Sequence, residues 1–190
     1  MAMGCIVMAA GAASRFGGDK LAALFRGKPL LRLALEAVPV DRLGPVAVVT
    51  GRREAAALAG EFGFLAVDNA HPDWGISHTI RLGLDAVGDC GAAMFLVADQ
   101  PLLRRETAAA LADLSRAHPD RLVGLAHGGV RGNPCIFPAR FFPALRALRG
   151  DRGGGAVIRR HMAELLLLEA PACELADVDT LQALEDLERS

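Results

Sequence analysis

The first twenty residues constrain the fold of this 190-residue chain more than any other stretch. They begin with an apolar run, residues 5–10, which has the length of a buried β-strand and is far too short to cross a membrane. The run stops at Gly11 and gives way to a polar loop that ends at Lys20. The sequence therefore predicts a strand that feeds directly into a loop of small residues.

This loop has the chemistry of an anion-binding loop. Residues 10–13 carry little or no side chain, so their backbone N–H groups can come close to a polyphosphate. Arg15 can donate to two oxygens at once, whereas Lys20 supplies a mobile point charge. A tight strand-to-helix turn with incidental charges is the alternative interpretation of the same residues.

Two better-known phosphate loops do not fit the spacing. A dinucleotide-binding fingerprint needs a second glycine two positions after Gly11, and position 13 is alanine. A P-loop needs its lysine inside a Gly-Lys-Ser/Thr triplet, whereas Lys20 stands between Asp19 and Leu21. The loop is thus predicted to be of another kind.

Apolar runs of strand length alternate with helical patterns along the rest of the chain. Strands are predicted at 46–50, 64–67, 92–98, 122–126, 132–137 and 165–168, and helices at 28–37, 51–60, 77–87, 105–117, 139–148 and 181–187. This alternation predicts one α/β domain over residues 1–190, with a doubly wound, mostly parallel sheet and a small β-hairpin excursion at Gly128-Gly129. In such sheets, ligands bind at the carboxyl ends of the strands.

Three aspartates are candidate metal ligands. Asp99 follows an all-apolar run, which predicts a central strand that ends in a carboxylate facing the loop of residues 10–20. Asp177 and Asp179 alternate ahead of the last helix and project to the same side of an extended segment. Carboxylates in these places are suited to hold Mg²⁺ against phosphate oxygens. Helix capping is the alternative for Asp99 and Asp179.

Four segments, in the correct order, resemble the molybdenum-cofactor nucleotidyltransferases. They are the A-A-G-x-x-S-R-x-G-x-x-K run of residues 9–20, the segment 69–79, the Asp-Gln-Pro of residues 99–101 and the D-x-D-T of residues 177–180. The resemblance implies a Rossmann-like nucleotidyltransferase that moves CMP from CTP to the phosphate of molybdopterin and releases pyrophosphate.

The same resemblance implies roles for individual residues. It assigns catalytic roles to Arg15, Lys20 and Asp99, and Mg²⁺ coordination to Asp99, Asp179 and Asp177. The residues that it assigns to nucleotide binding are Ala9, Ala10, Gly11, Ser14, Arg15, Lys20, Asn69, Gly75 and Ser77. Within that set, Gly75 and Ser77 would offer free N–H groups at a helix start, which Ser77 would cap. Acceptor binding falls to Asn133, Pro134 and Asp151.

Two features depart from the family pattern. In segment 69–79, Pro72 and Trp74 are displaced by two positions. After Gly150-Asp151 the family carries an arginine or a lysine at the position where this chain has Gly155. Arg159 or Arg160, one turn further on, is the expected replacement.

The sequence leaves the base and the acceptor open. Met8-Ala9-Ala10-Gly11 resembles the loop of members that use CTP, whereas members that use GTP tend to carry Ala-Gly-Gly. The alternatives are a related transferase that uses GTP or a sugar or polyol phosphate acceptor, and a non-catalytic nucleotide- or cofactor-binding accessory protein of a molybdoenzyme.

Composition sets the expectations about partners and compartment. A net charge of −1 gives no electrostatic reason to expect nucleic acid or a membrane surface as a partner. The expected partners are a nucleoside triphosphate, a molybdopterin-type phosphate acceptor and a molybdenum hydroxylase that receives the product. The N-terminal apolar stretch lacks the features of an export signal, so a cytoplasmic monomer is expected.

Cysteine and histidine spacing does not predict a metal site. Cys5, Cys90, Cys135 and Cys173 form no C-x-x-C pair, so four buried and reduced thiols are expected. His71 and His78 have no third ligand nearby, so exposed loop histidines are expected rather than a metal pair.

Overall fold

The computed structural model describes residues 2–11, 16 and 18–189. Within them the strands are β1 (Met3–Met8), β2 (Leu24–Phe25), β3 (Lys28–Pro29), β4 (Val46–Thr50), β5 (Leu65–Asp68), β6 (Ala92–Val97), β7 (Leu122–His127), β8 (Val130–Pro138) and β9 (Leu165–Glu169). The α-helices are α1 (Leu30–Glu36), α2 (Arg53–Glu61), α3 (Ile76–Val87), α4 (Arg105–Ala117), α5 (Phe142–Arg146), α6 (Gly155–Arg160) and α7 (Leu181–Arg189). The predicted elements are therefore present, with ends displaced by a few residues.

The main sheet is mostly parallel, as the sequence predicts. In the described residues its strand order is β5-β4-β1-β6-β8-β7-β9. Strand β1 pairs in parallel with both β4 and β6, and Met8 at its end lies opposite Val49 and Val97. The carboxyl ends of β1, β4 and β6 consequently lie side by side, and the polar residues that follow them meet at one edge.

Helices cover both faces of this sheet. On one face, side chains of β1 such as Cys5 and Val7 pack with α1, α2 and α4. On the other face, Ile6 and its neighbours pack with α3, α5 and α6. Because β1 and β6 are buried on both faces, they appear in the sequence as uninterrupted apolar runs.

The predicted hairpin forms, and both of its strands belong to the main sheet. Gly128 and Gly129 make the reversal with φ of 55° and 77°, which glycine adopts without strain. Strand β8 then pairs antiparallel with β7 on one side and with β6 on the other. The first half of β8, which precedes Cys135, therefore lies toward the carboxyl end of β6.

Two expectations about this part of the fold were wrong. The helix predicted at 28–37 begins at Leu30, because Lys28–Pro29 form β3, which pairs with the short strand β2. Cys173 is exposed, whereas Cys5, Cys90 and Cys135 are buried and reduced as expected.

None of the helices in the described part of the chain is long and apolar enough to cross a bilayer.

Candidate functional site

A cavity of about 600 Å³ opens at the carboxyl ends of β1, β4 and β6. It is lined by residues that follow these strands and by the start of α3: Met8, Ala9, Ala10, Gly11, Lys20, Leu21, Arg52, Pro72, Gly75, Ile76, Thr79, Val97, Ala98, Asp99, Asp151 and Asp179. The volume is that of a small-molecule site. The predicted loop, the predicted carboxylates and the start of α3 thus share one cavity.

Lys20 joins two predicted metal ligands. Its Nζ donates to Asp99 Oδ2 at 2.8 Å and to Asp179 Oδ1 at 3.0 Å. Asp19 holds the lysine in place, because its Oδ1 accepts from the N–H groups of Leu21 and Ala22 and caps a 3₁₀ turn over Lys20–Ala22. The sheet therefore brings together three charges that are far apart in the sequence.

The protonation of Lys20 follows from these contacts. Burial by itself lowers the pKa of its ammonium group, but the hydrogen bonds and negative charges of Asp99 and Asp179 outweigh burial and raise that pKa above its usual value. Lys20 is therefore a cation at neutral pH.

One carboxylate oxygen of Asp99 makes no hydrogen bond. This atom, Oδ1, is buried and has no hydrogen-bond partner among the described residues. Within residues 2–11, 16 and 18–189, no three His, Cys, Asp or Glu side chains are close enough to enclose a metal. Mg²⁺ is usually held by one or two carboxylates together with waters and substrate phosphates, and Asp99 with Asp179 matches that donor set.

Asp177 lies beside this pair and is engaged differently. Its Oδ1 accepts from Gln100 Nε2 at 2.9 Å. Desolvation of the carboxyl group, together with the negative charges of Asp99 and Asp179, raises the pKa of Asp177, while the hydrogen bond from Gln100 opposes that change. Its carboxylate thus tends to hold its proton more strongly than an ordinary aspartate.

The C-terminal segment is fastened to the loop after β6. The N–H of Val178 donates to the carbonyl of Asp99 at 2.9 Å, so the chain that carries Asp177 and Asp179 runs against that loop. Thr180 Oγ1 accepts from the N–H of Ala183 and caps α7. The side chain of Thr180 thus caps the N-terminus of α7.

The start of α3 differs from its predicted arrangement. Gly75, not Ser77, is the N-cap residue, and the N–H of Ser77 donates to the carbonyl of Gly150 at 3.1 Å. The prediction that Ser77 caps the helix and offers a free N–H is therefore wrong. The N–H of Gly75 is also used, because it bonds to Pro72. Gly75 has a φ of 80°, and a Cβ there would lie 2.4 Å from the backbone of Gly150, so only glycine fits.

Asn69 stands behind the cavity wall. It is 1% exposed, its Nδ2 donates to Thr79 Oγ1 at 3.1 Å, and its Oδ1 accepts from the N–H of His71. Thr79, rather than Asn69, lines the cavity. Asn69 thus shapes the site through Thr79 and the turn at His71.

The predicted acceptor residues are divided between two cavities. Asp151 lines the first cavity, whereas Asn133 lines a second cavity of about 210 Å³ that shares Met8, Ile76 and Val97 with the first. Pro134 is buried in β8, next to Asn133. The second cavity therefore adjoins the first.

Arg52 and Thr79 are cavity residues that the sequence analysis missed. Arg52 follows β4 and forms an ion pair with Asp19. Its position immediately after a predicted strand was the available signal, because parallel strands present such residues at one edge. Ser14 and Arg15, predicted to bind the nucleotide, lie outside the described residues.

His71 and His78 form an aromatic cluster with Trp74. His71 stacks on Trp74 with ring centroids 4.2 Å apart, and His78 meets the same indole at 4.9 Å. Burial, followed by the positive charges of Arg81 and His71, lowers the pKa of His78. His71 lies in an exposed loop as expected, whereas His78 lies in α3 and is half-buried.

The strand order and the site define a class of protein. A mostly parallel α/β sheet with cationic and acidic groups in a cavity at its carboxyl edge is the arrangement in which α/β proteins bind charged small molecules. Residues 5–165 match the MobA-like NTP transferase domain, and the chain belongs to that family. The family expected from the four sequence segments is confirmed, and the protein is a nucleotidyltransferase of the MobA-like kind.

Similar proteins extend over nearly the whole chain. The purine catabolism protein PucB of Bacillus subtilis (strain 168) is 27% identical over 199 residues, which cover 97% of this chain and 95% of that protein. A nucleotidyl transferase from Methanothermobacter thermautotroptrophicus has a TM-score of 0.83 at 20% identity and covers 99% of this chain and 96% of its own. The structure of Rv0371c from Mycobacterium tuberculosis H37Rv in complex with manganese has a TM-score of 0.79 at 21% identity, with both chains fully covered. At these identities the two structures show a shared fold.

Proposed function

We propose that this protein transfers CMP from CTP to the phosphate of molybdopterin and releases pyrophosphate, with Mg²⁺ as its metal. The observation that carries the proposal is the contact of Lys20 with Asp99 and Asp179 inside the first cavity. A cation and two carboxylates at one point can neutralise a triphosphate and hold a divalent ion against it. The nucleoside triphosphate substrate follows from the family.

Asp99 and Asp179 are the proposed Mg²⁺ ligands. The buried, unpartnered Oδ1 of Asp99 supports this assignment, because a bound cation would satisfy that atom. The manganese complex of Rv0371c supports a divalent ion in this fold. When bound, Mg²⁺ would offset the negative charge of the phosphates at the reacting centre.

Side chains of the protein would orient the substrates and neutralise the charge of their phosphates. Lys20, at the end of the loop after β1, would contact the triphosphate and the leaving pyrophosphate, as would Arg15. An oxygen of the acceptor phosphate attacks the α-phosphorus, and the bond from that phosphorus to the bridging oxygen of the β-phosphate breaks. The acceptor oxygen is already anionic, so the step depends on positioning and charge rather than on a general base.

The choice of CTP rests on Ala10. This residue lines the cavity, and its methyl group narrows the space beside the loop relative to a glycine. A pyrimidine needs less room than a purine, which supports CTP over GTP. The product is proposed to pass to a molybdenum hydroxylase, with the protein acting as a cytoplasmic monomer.

Pyrophosphate release tests the reaction, the base and the acceptor together. The assay compares CTP with GTP in the presence of Mg²⁺, with and without molybdopterin. Release from CTP that requires molybdopterin is the expected result.

Lys20→Ala should lose turnover while still binding nucleotide, and Asp99→Asn should lose both turnover and the response to Mg²⁺. Asp89→Asn, an exposed aspartate before β6 and outside the cavity, is the matched control.

Other results would assign another function. Clear preference for GTP would overturn the choice of base. Release with a sugar or polyol phosphate but not with molybdopterin would overturn the acceptor. Nucleotide binding without release from any combination would indicate a non-catalytic accessory protein.

A further inference from the structure

Gly155 leaves a space that two arginine side chains enter. A Cβ at this position would lie 3.2 Å from Nη2 of Arg131 and 3.6 Å from Nη1 of Arg159. Arg159 belongs to the same helix as Gly155, whereas Arg131 comes from β8 on the hairpin. The positive charge that the family places on residue 155 is thus supplied here from two other positions.

Arg131 is held in this place by its surroundings. Its Nη1 donates to the carbonyl of Gly132 at 3.3 Å and to Cys135 Sγ at 3.2 Å. Gly124 on the neighbouring strand lies beside it, since a Cβ there would be in van der Waals contact with Arg131 Cγ at 3.5 Å. The side chain is partly buried rather than extended into solvent.

Neither guanidinium group is paired with a carboxylate in the described part of the chain. Arg131 and Arg159 have no carboxylate oxygen within 4.0 Å there, whereas many other arginines form ion pairs. A partly buried cation without a counter-charge attracts an anionic ligand. Guanidinium groups are also the groups that bind phosphate oxygens in pairs.

Of the two arginines, Arg131 lines an apolar cavity, whereas Arg159 is exposed and does not line it. The second cavity is lined by Arg131, Asn133 and Gly155 and by the apolar side chains of Ile80, Phe95, Phe137, Leu145 and Ile158. Three of its lining residues, Met8, Ile76 and Val97, also line the first cavity. A molecule bound here would therefore lie beside the nucleotide.

We infer that Arg131 binds the phosphate of the acceptor in the second cavity, and that the apolar walls of this cavity contact the body of the acceptor. This inference rests on the proposed function, since it places the acceptor of the same reaction. Arg159 and Arg160, the candidates from the sequence, are both exposed and do not line this cavity.

Kinetics with matched variants test the assignment. Arg131→Gln should raise the KM for molybdopterin by about 10- to 100-fold, which is the value of a charge-assisted pair of hydrogen bonds, with little change in the KM for CTP or in kcat. Arg160→Gln should leave all three constants unchanged. Gly155→Arg should weaken acceptor binding on its own, because it crowds Arg131, yet should restore binding in the Arg131→Gln background. Equal effects of Arg131→Gln and Arg160→Gln would overturn the inference.

Phosphate binding gives a readout that does not depend on the identity of the acceptor. With excess CTP and Mg²⁺ to occupy the first cavity, inorganic phosphate should raise the Tm of the wild-type protein and of Arg160→Gln but not of Arg131→Gln. Arg131→Lys, which keeps the charge, should retain part of the response. A response that is absent from the wild type, or equal in all variants, contradicts the subsite. A response lost only in Arg131→Gln, without turnover of molybdopterin, would retain the subsite and reject the proposed acceptor.

Discussion

Lys20 is the residue whose charge state most directly couples the site to stability. Its pKa is raised in the folded protein, so its stabilising contribution is complete below the usual lysine pKa of about 10.4 and is lost as pH rises through the higher folded-state pKa. The chain has only one other lysine, Lys28, and no tyrosine. Apart from these lysines, the cysteines also titrate at alkaline pH, and burial raises the pKa of Cys5, Cys90 and Cys135.

Lys20→Met should lower the free energy of unfolding at pH 7 by about 1–3 kcal/mol, because it leaves Asp99 and Asp179 without their shared donor. The difference from the wild type should persist up to about pH 10 and shrink above it, where the wild-type lysine also loses its charge. Denaturant unfolding between pH 7 and 11.5 measures this. Lys28→Met, which breaks an exposed pair with Glu36, is the control and should cost less than about 1 kcal/mol. A difference that stays constant to pH 11.5 would contradict the role assigned to Lys20.

Asp177 also lowers stability as pH rises, but it does so in the acidic range and through its charged form. Its folded-state pKa is raised, so its ionisation destabilises the protein once pH exceeds that pKa, and this cost is absent below the usual aspartate pKa of about 3.9. Asp177→Asn keeps an acceptor for Gln100 and removes the charge. It should raise the free energy of unfolding at pH 7, in the absence of Mg²⁺, by less than about 1 kcal/mol, because the group is partly exposed.

Denaturant unfolding at pH 7 and at pH 3 tests whether the charge of Asp177 destabilises the folded protein. The gain should vanish at the lower pH, and Asp89→Asn should produce no comparable gain at either pH. Excess Mg²⁺ should reduce the gain if Asp177 joins the metal site. A loss of stability at pH 7 would show that the charge crowding around Asp99 is not the dominant effect.

At the scale of the elements, the close packing of α3 on β1 positions the cavity wall. A Cβ at Gly83 would lie 2.3 Å from Cγ2 of Ile6, which is fully buried and cannot move aside cheaply. Gly83→Ala should therefore lower the free energy of unfolding by about 1–3 kcal/mol. Because α3 also carries Thr79, the same change should raise the KM for CTP.

Gly60→Ala in α2 is the matched helical control. A Cβ at Gly60 would meet no atom within 4 Å, so this change should raise the free energy of unfolding by about 0.5–1 kcal/mol through helix propensity alone. Chemical denaturation of both variants under the same conditions compares the two effects. Similar values for Gly83→Ala and Gly60→Ala would show that α3 can move away from β1 without cost.

At the scale of the whole molecule, the two ends of the chain complete one site. The family match ends at residue 165, yet Asp179 lies beyond it and bonds to Lys20 near the start. A separate apolar cluster holds the two ends together: Phe16, Phe25, Leu30, Val178 and Leu184. Helix α7 thus supports the segment that carries Asp179, although none of the residues of α7 lines the first cavity.

Leu184→Ala should lower the free energy of unfolding by about 2–3 kcal/mol, because Leu184 is only 6% exposed. It should also raise the Mg²⁺ concentration needed for half-maximal turnover, since the segment that carries Asp179 loses its support. Leu181→Ala, in the same helix but 55% exposed, should have little effect on either quantity. Turnover as a function of Mg²⁺, together with Tm, distinguishes a weakened site from a weakened fold. An unchanged Mg²⁺ requirement in a destabilised Leu184→Ala protein would separate α7 from the site.

The sequence by itself determined the sheet and one half of the site. The apolar runs that became β1 and β6 are long enough and pure enough that only buried strands accommodate them, and Lys20 and Asp99 follow at their carboxyl ends. Local chemistry sufficed there, because a loop of small residues after a buried strand has few alternatives. The hairpin at Gly128-Gly129 was predictable for the same local reason.

Only the tertiary structure decided which of these residues meet. Ser77 and Asn69 carry polar groups that would suit the cavity. In the structure, however, the N–H of Ser77 bonds to the carbonyl of Gly150, and the side chain of Asn69 bonds to Thr79. Arg52 and Arg131 had no motif in the sequence, and strand order brought them to the two cavities. The contact of Lys20 with Asp179 spans 159 residues of sequence separation, which no local pattern encodes. Such contacts depend on how strands and helices pack at long range, and this packing is a property of the whole folded chain.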